Sequence, residues 1–122
     1  MKSGRGDASR IRAERHGRFS EYLAALFLLT RGYRLMAFRY RTKVGEIDIV
    51  ARRGDLVAFV EVKARRDLMA GVDAVGFASQ KRIRAAGDQW LRRQPDAARL
   101  SYRYDIVVVR PWHWPRHFPD SF

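Results

Sequence analysis

The chain has 122 residues, 47% of them hydrophobic, which bounds it to one domain and excludes a disordered polymer. Lys and Arg number 25 against 13 Asp and Glu, a formal net charge of +12, so a polyanion is the expected partner. There is no cysteine, which excludes disulfides and thiolate metal sites.

In chain order, residues 1–10 read as a flexible basic arm that becomes helical after Asp7 or Ser9. This N-terminal segment has no apolar core of the signal-peptide kind, and the longest apolar run, Tyr22–Leu29, is too short to span a bilayer. A cytoplasmic location with no membrane partner is the expectation. Residues 11–110 read as a single folded domain and 111–122 as an aromatic, proline-rich tail.

Within the domain, residues 17–31 predict a helix closed by Gly32, apolar nearly all round from Tyr22 to Leu29 and therefore expected to be buried. Residues 33–42 are aromatic-rich and predict a strand. Residues 45–51, GEIDIVA, alternate, with Ile47, Ile49 and Ala51 expected on one face and Glu46, Asp48 and Val50 on the other. After a turn at Arg52–Asp55, residues 56–64 are almost continuously apolar up to Glu61, as in a central strand buried on both faces. An irregular connection over 65–78 leads to a helix over 79–93, with Ile83, Ala86, Trp90 and Leu91 in one stripe. Residues 101–109 form a fourth strand, stopped by Pro111. The order helix, three strands, helix, strand predicts an α/β fold: a mixed central sheet flanked by helices.

Asp48, Glu61 and Lys63 carry the strongest chemical signal. Glu61 and Lys63 share a face of one strand, and Glu46 and Asp48 share a face of its neighbour. A two- or four-residue loop centred on Arg53-Gly54 would set residue 48 opposite 59 and 46 opposite 61, with all four side chains on one face; a three-residue loop would separate them. Three clustered carboxylates repel one another unless a divalent cation joins them. Mg²⁺, with Mn²⁺ as the alternative, suits such a set because it takes one or two carboxylates, waters and phosphate oxygens. Lys63 beside it would orient or deprotonate water, or steady charge on a phosphate. Glu21, an acid at the entrance of an apolar helix, is a fourth candidate. Taken singly, Glu46 and Asp48 also read as the solvent face of an amphipathic strand, Glu61 and Lys63 as a same-face ion pair at a strand end, and Glu21 as the partner of an arginine.

Asp48 with Glu61-Val62-Lys63 resembles the Asp…Glu-x-Lys signature of the restriction-endonuclease-like superfamily. The longer strings GYRLMAFRYRTKVGEIDIVA, LVAFVEVKAR and YDIVVV, with a lysine-bearing helix between the last two, resemble the YraN-like family of bacterial proteins, itself similar to archaeal Holliday junction resolvases. The resemblance runs from about Gly17 to Val109. It implies a restriction-endonuclease-like core in which Asp48 and Glu61 hold metal, with the Val62 carbonyl as a further ligand, Lys63 is the catalytic lysine, and Glu21 is the helix-borne acid. Glu46 belongs to the same motif.

Arg15, Arg18, Arg39, Arg41, Lys43, Arg65 and Arg66 flank these motifs in sequence and are expected to hold phosphates, and Lys81 joins them by the resemblance. Asp105 reads as a structural salt-bridge acid, His16, His113 and His117 as non-catalytic, and Trp112 and Trp114 as core or interface residues, with stacking on bases as the alternative. The leading expectation is a Mg²⁺-dependent endonuclease on DNA, favoured over RNA, with branched, Holliday-junction-like DNA as the narrower form. Paired cuts would call for a homodimer. The competing expectations are a non-catalytic DNA- or RNA-binding module on the same scaffold and, more weakly, a basic adaptor for a membrane or ribosome.

Overall fold

The computed structural model describes residues 18–68, 71 and 75–122. The basic arm, Arg15 and His16 lie outside the described residues. Helix α1 covers residues 18–30, followed by strands β1 (Arg34–Arg41), β2 (Glu46–Arg53) and β3 (Leu56–Ala64). Helix α2 (Phe77–Arg92) then leads to β4 (Ser101–Val109) and a short β5 (Arg116–Phe118). The strands lie side by side in chain order. β3 and β4 are parallel and the other neighbours antiparallel, because only the β3–β4 connection carries a helix that returns the chain to its starting end. The mixed α/β architecture and element order match the expectation; β5, formed within the tail, is an addition to it.

β3 is the spine. Val57, Ala58, Phe59 and Val60 are all 0% exposed, as its unbroken apolar run predicts. Ala58 and Val60 meet Ala24, Ala25 and Leu28 of α1, together with Ile49, Ala51, Val107 and Val109. Val57 and Phe59 meet Ile83, Ala86 and Trp90 of α2, together with Val50, Ile106 and Val108. The alanines let α1 lie close to the sheet. On the other face Gly87 does the same for α2, since a Cβ there would sit 3.2 Å from the Phe59 ring.

α1 ends as Gly32 predicts. The glycine takes φ +89, and the Gly32 and Tyr33 amides bond back to the Leu29 and Leu28 carbonyls. The expectation that α1 is buried all round is corrected. Phe19, Tyr22, Leu26 and Leu29 are 62, 60, 57 and 48% exposed, because the sheet covers one side of the helix only. No helix among the described residues is long and apolar enough to cross a membrane.

The tail docks through buried polar chemistry. Asp105, 0% exposed in β4, accepts hydrogen bonds from Arg103 Nε (2.8 Å), the Asp120 amide (2.9 Å) and His117 Nε2 of β5 (2.7 Å). Arg103 Nη2 also donates to the Tyr33 hydroxyl at 2.6 Å, tying the start of β1 to the same network. Phe122 stacks on Tyr104 with centroids 5.5 Å apart. The two tryptophans of the tail do not pack in the core: Trp112 is 100% and Trp114 81% exposed.

Candidate functional site

β2 and β3 turn through Gly54-Asp55, with Arg53 opposite Leu56 and Ile49 opposite Val60. Gly54 takes φ +63 and Asp55 accepts from Arg52 Nη2 at 3.1 Å, so the turn sits one residue later than the Arg53-Gly54 centre expected from sequence. The pairing of 48 with 59 and 46 with 61 is corrected accordingly. The observed pairs run from Arg53–Leu56 to Ile49–Val60, and Asp48 meets the Glu-x-Lys segment at the Val62 amide. The change moves Asp48 closer to the Glu-x-Lys pair.

The strict alternation expected in β2 also fails, and it fails at Asp48. Ile47 belongs to the α2-side core while Ile49 and Ala51 belong to the α1-side core. The neighbouring strand breaks at the same level: Phe38 faces α1, where it stacks on Tyr22 at 5.3 Å, whereas Tyr40 packs on the α2 side. Between them Arg39 adopts φ +56, a conformation that residues with side chains seldom adopt. Paired irregularities of this kind re-aim side chains and concentrate at functional sites. Here they turn Arg39 and Asp48 into a cleft of about 350 Å³ lined also by Arg18, Glu21, Arg41 and Glu46.

The β2–β3 pairing ends at Ile49–Val60, and Asp48 fills the fork beyond it. Its Oδ2 accepts the Val62 amide at 2.8 Å, taking the place of a strand carbonyl. Val60 and Val62 pack on the α1 side, so by alternation Glu61 and Lys63 leave β3 on the α2 side. The expectation of four polar groups on one face is thereby corrected: Asp48 joins the two sets through the fork. Lys63 Nζ lies 3.8 Å from Glu61 Oε1, with both side chains largely covered at 22 and 17% exposure.

The electrostatics of this group are unfavourable as they stand. Burial, then the charge of Asp48 and a carboxyl–carboxyl hydrogen bond with it, push the Glu61 carboxyl up to about 9, against the pull of Lys63. The metal-free folded protein therefore keeps a proton on Glu61 that the unfolded chain, titrating near 4.5, has lost. Stability consequently falls as pH rises from about 4.5 to about 9. Glu61→Gln removes that penalty. In EDTA it should raise stability at pH 8 by about 1–3 kcal/mol and flatten the pH dependence across this window, as measured by urea unfolding at several pH values. An unchanged pH slope would show that Glu61 titrates normally.

Glu21 lies in the cleft with Oε2 2.7 Å from Arg39 Nε. The contact is an ion pair that covers the buried Oε2. Burial and the charge of Asp48 raise the Glu21 carboxyl, with Arg39 opposing them. Glu46 is on the rim, its side chain 62% exposed and 3.8 Å from Arg41; so open a pair contributes little to stability.

The predicted cations divide. Arg18, Arg39 and Arg41 line the acid cleft, although Arg39 is engaged by Glu21. Lys43 is exposed in the β1–β2 turn, which Thr42 closes by accepting the Val44 and Gly45 amides. Lys81 is exposed on the first turns of α2, its Nζ 5.6 Å over the Phe77 ring. Gly45 packs so closely on the Arg82 backbone that no Cβ could be accommodated, which brings the Lys81 end of α2 to the turn preceding Glu46. Arg65 and Arg66 are exposed beyond β3, in a separate hollow with Trp112. The break in alternation and that second hollow have no signal in the sequence: no glycine or proline stands at 39 or 48 to announce the break.

Among the described residues no group of three or more His, Asp and Glu side chains is arranged to hold a metal ion. The set that does form is the Asp48–Glu61 pair beside Val62, with the Arg39-paired Glu21 carboxylate nearby. Two hard carboxylates that repel each other fit Mg²⁺ or Mn²⁺, which keep waters and phosphate oxygens in the remaining positions; they do not fit an all-protein cage.

Comparison with known proteins adds the lineage. Residues 20–109 match the model of the Uncharacterised protein family UPF0102. UPF0102 proteins of Sinorhizobium fredii and Rhizobium meliloti are 59 and 60% identical to the chain over 122 residues, the whole of each protein. One from Rhizobium etli is 64% identical over 111 residues, 91% of either chain. The matched span holds Glu21, Glu46, Asp48, Glu61 and Lys63, and it agrees with the YraN-like resemblance carried by those motifs: the chain belongs to the UPF0102 family.

Proposed function

We propose that this protein hydrolyses phosphodiester bonds of nucleic acid, DNA in preference to RNA, with a divalent cation held by Asp48 and Glu61. The observation that carries the reading is the Asp48 carboxylate in the β2–β3 fork, hydrogen-bonded to the Val62 amide and beside a Glu61–Lys63 pair. A bound Mg²⁺ or Mn²⁺ would offset the carboxylate repulsion, polarise the phosphate and make water a better nucleophile near neutral pH. The Val62 amide fixes the orientation of Asp48. Lys63 Nζ, largely covered by protein, places a positive charge where the cleaved phosphate gathers negative charge. Arg18 and Arg41 on the cleft wall hold the phosphates to either side. Glu21 is held at the cleft by its ion pair with Arg39 and adds negative charge beside Asp48. The exposed apolar face of α1 offers a surface for the homodimer that paired cuts in branched DNA would require.

The second reading is a binding module without catalysis. One observation favours it: Glu21 is committed to Arg39, so three carboxylates do not converge. Calorimetric titration with Mn²⁺ separates the two. The nuclease reading expects saturable binding that Asp48→Ala weakens by at least about 10- to 100-fold. Absence of binding by the unaltered protein, in the presence of a non-cleavable oligonucleotide, would leave the binding module.

A further inference from the structure

The strap that follows β4 builds a second feature which the cleavage chemistry does not use. The Arg65 amide bonds to the Val109 carbonyl at 3.1 Å, tying the ends of β3 and β4 together. The chain then turns at Arg110–His113, where the His113 amide reaches the Arg110 carbonyl at 3.4 Å and the His113 ring reaches the Pro111 carbonyl at 2.8 Å. Inside this turn Trp112 takes φ +62 and presents an indole that is 100% exposed. It borders a hollow of about 410 Å³ lined by Phe19, Leu23, Arg65, Arg66 and Arg110. No acid lines the hollow. Arg110 Nε is buried there without a hydrogen-bond partner.

We propose that this hollow seats an unpaired nucleobase, stacked on Trp112, while Arg65, Arg66 and Arg110 hold the phosphates beside it. An exposed indole held outward by a strained turn needs a flat apolar partner, and the surrounding guanidinium groups need an anionic one. A nucleic acid strand supplies both. A second copy of the chain would bring the same cations to the same place, at a net charge of +12 on each copy. In a duplex the base faces are already stacked, so the indole can take only a base that is unpaired or turned out. The position suits this role. The first turn of α1 gives Phe19 and Ser20 to the hollow and Arg18 and Glu21 to the acid cleft, and Arg65 is two residues beyond Lys63. A base seated on Trp112 places its neighbouring phosphates at the rim of the cleft. The inference rests on the proposed function for the identity of the polymer and extends it to substrates with unpaired bases.

The test is fluorescence-anisotropy binding in EDTA, with a single-stranded oligonucleotide, a blunt duplex of the same sequence and a duplex containing a central unpaired loop. Trp112→Ala should weaken binding of the single strand and the looped duplex by about 5- to 150-fold and leave the blunt duplex within about twofold. Trp112→Phe should restore most of the loss. Circular dichroism serves as the folding control. Equal losses on all three substrates, or none, overturn the proposal; so does a Trp112→Ala variant whose oligomeric state changes, which would make the hollow a contact between copies. Binding is read without cleavage. An inactive protein that still shows the Trp112-dependent difference therefore removes the nuclease reading and keeps the base seat.

Discussion

Replacing Asp105 with alanine should cost the fold about 3–5 kcal/mol, roughly a 10–20 °C drop in Tm for a domain of this size. The carboxylate is completely buried, and it is the shared acceptor for Arg103, His117 and the Asp120 amide. Its removal leaves the Arg103 guanidinium, itself only 20% exposed, without a counter-charge and frees the tail at both β5 and Asp120. Asp105→Asn is expected to lose nearly as much, because an amide returns shape but no charge. The pH dependence has a definite sign. Burial alone would raise the Asp105 carboxyl, but the hydrogen bonds from His117, Arg103 and Asp120 outweigh it and hold it below its ordinary 3.8. The stabilisation is therefore fully present above that value and is lost as pH falls through the depressed folded value. Urea unfolding at pH 7 and at pH values below 3.8 measures both effects. A loss under about 1 kcal/mol at pH 7 would mean that water replaces the network.

Replacing Lys63 with alanine should lower kcat by about 10²- to 10³-fold with little change in KM, the pattern expected when a charge aimed at the transition state is removed. The side chain lies 3.8 Å from Glu61 and is well covered, so it is positioned within the site and is not a surface tether for phosphate. Lys63→Arg should restore little, since a planar fork cannot occupy the place of a compact ammonium. Single-turnover cleavage with saturating substrate measures the effect. A variant that loses affinity while keeping kcat would make Lys63 a binding residue.

Much of this arrangement was legible in the sequence, because it depends on local rules. The continuous apolar run of β3, the Gly32 stop of α1 and the stripe of Ile83, Ala86 and Trp90 on α2 each follow from periodicity and capping, and each occurs. Asp48, Glu61 and Lys63 were visible as polar residues interrupting two strongly apolar strands. What sequence did not show is long-range. The break in alternation at Asp48 accompanies Arg39 in the neighbouring strand holding φ +56, and neither residue type announces it. The register differs by one turn position because Gly54 opens the turn, with Asp55 as its second residue. The partial exposure of α1 reflects how many layers cover it, which its own composition cannot express. β5 forms because Asp105 captures His117 across 12 residues, a polar contact with no periodic signature.

The most direct test of the central claim is cleavage of labelled single-stranded, linear duplex and four-way-junction DNA and a structured RNA by purified protein in Mg²⁺, Mn²⁺ or EDTA, beside Asp48→Ala. Cleavage should require the cation, favour DNA and disappear in Asp48→Ala while nucleic acid binding persists. Cleavage that survives in EDTA or in Asp48→Ala would contradict it, as would a protein that binds DNA tightly and cleaves none of the four substrates with either cation.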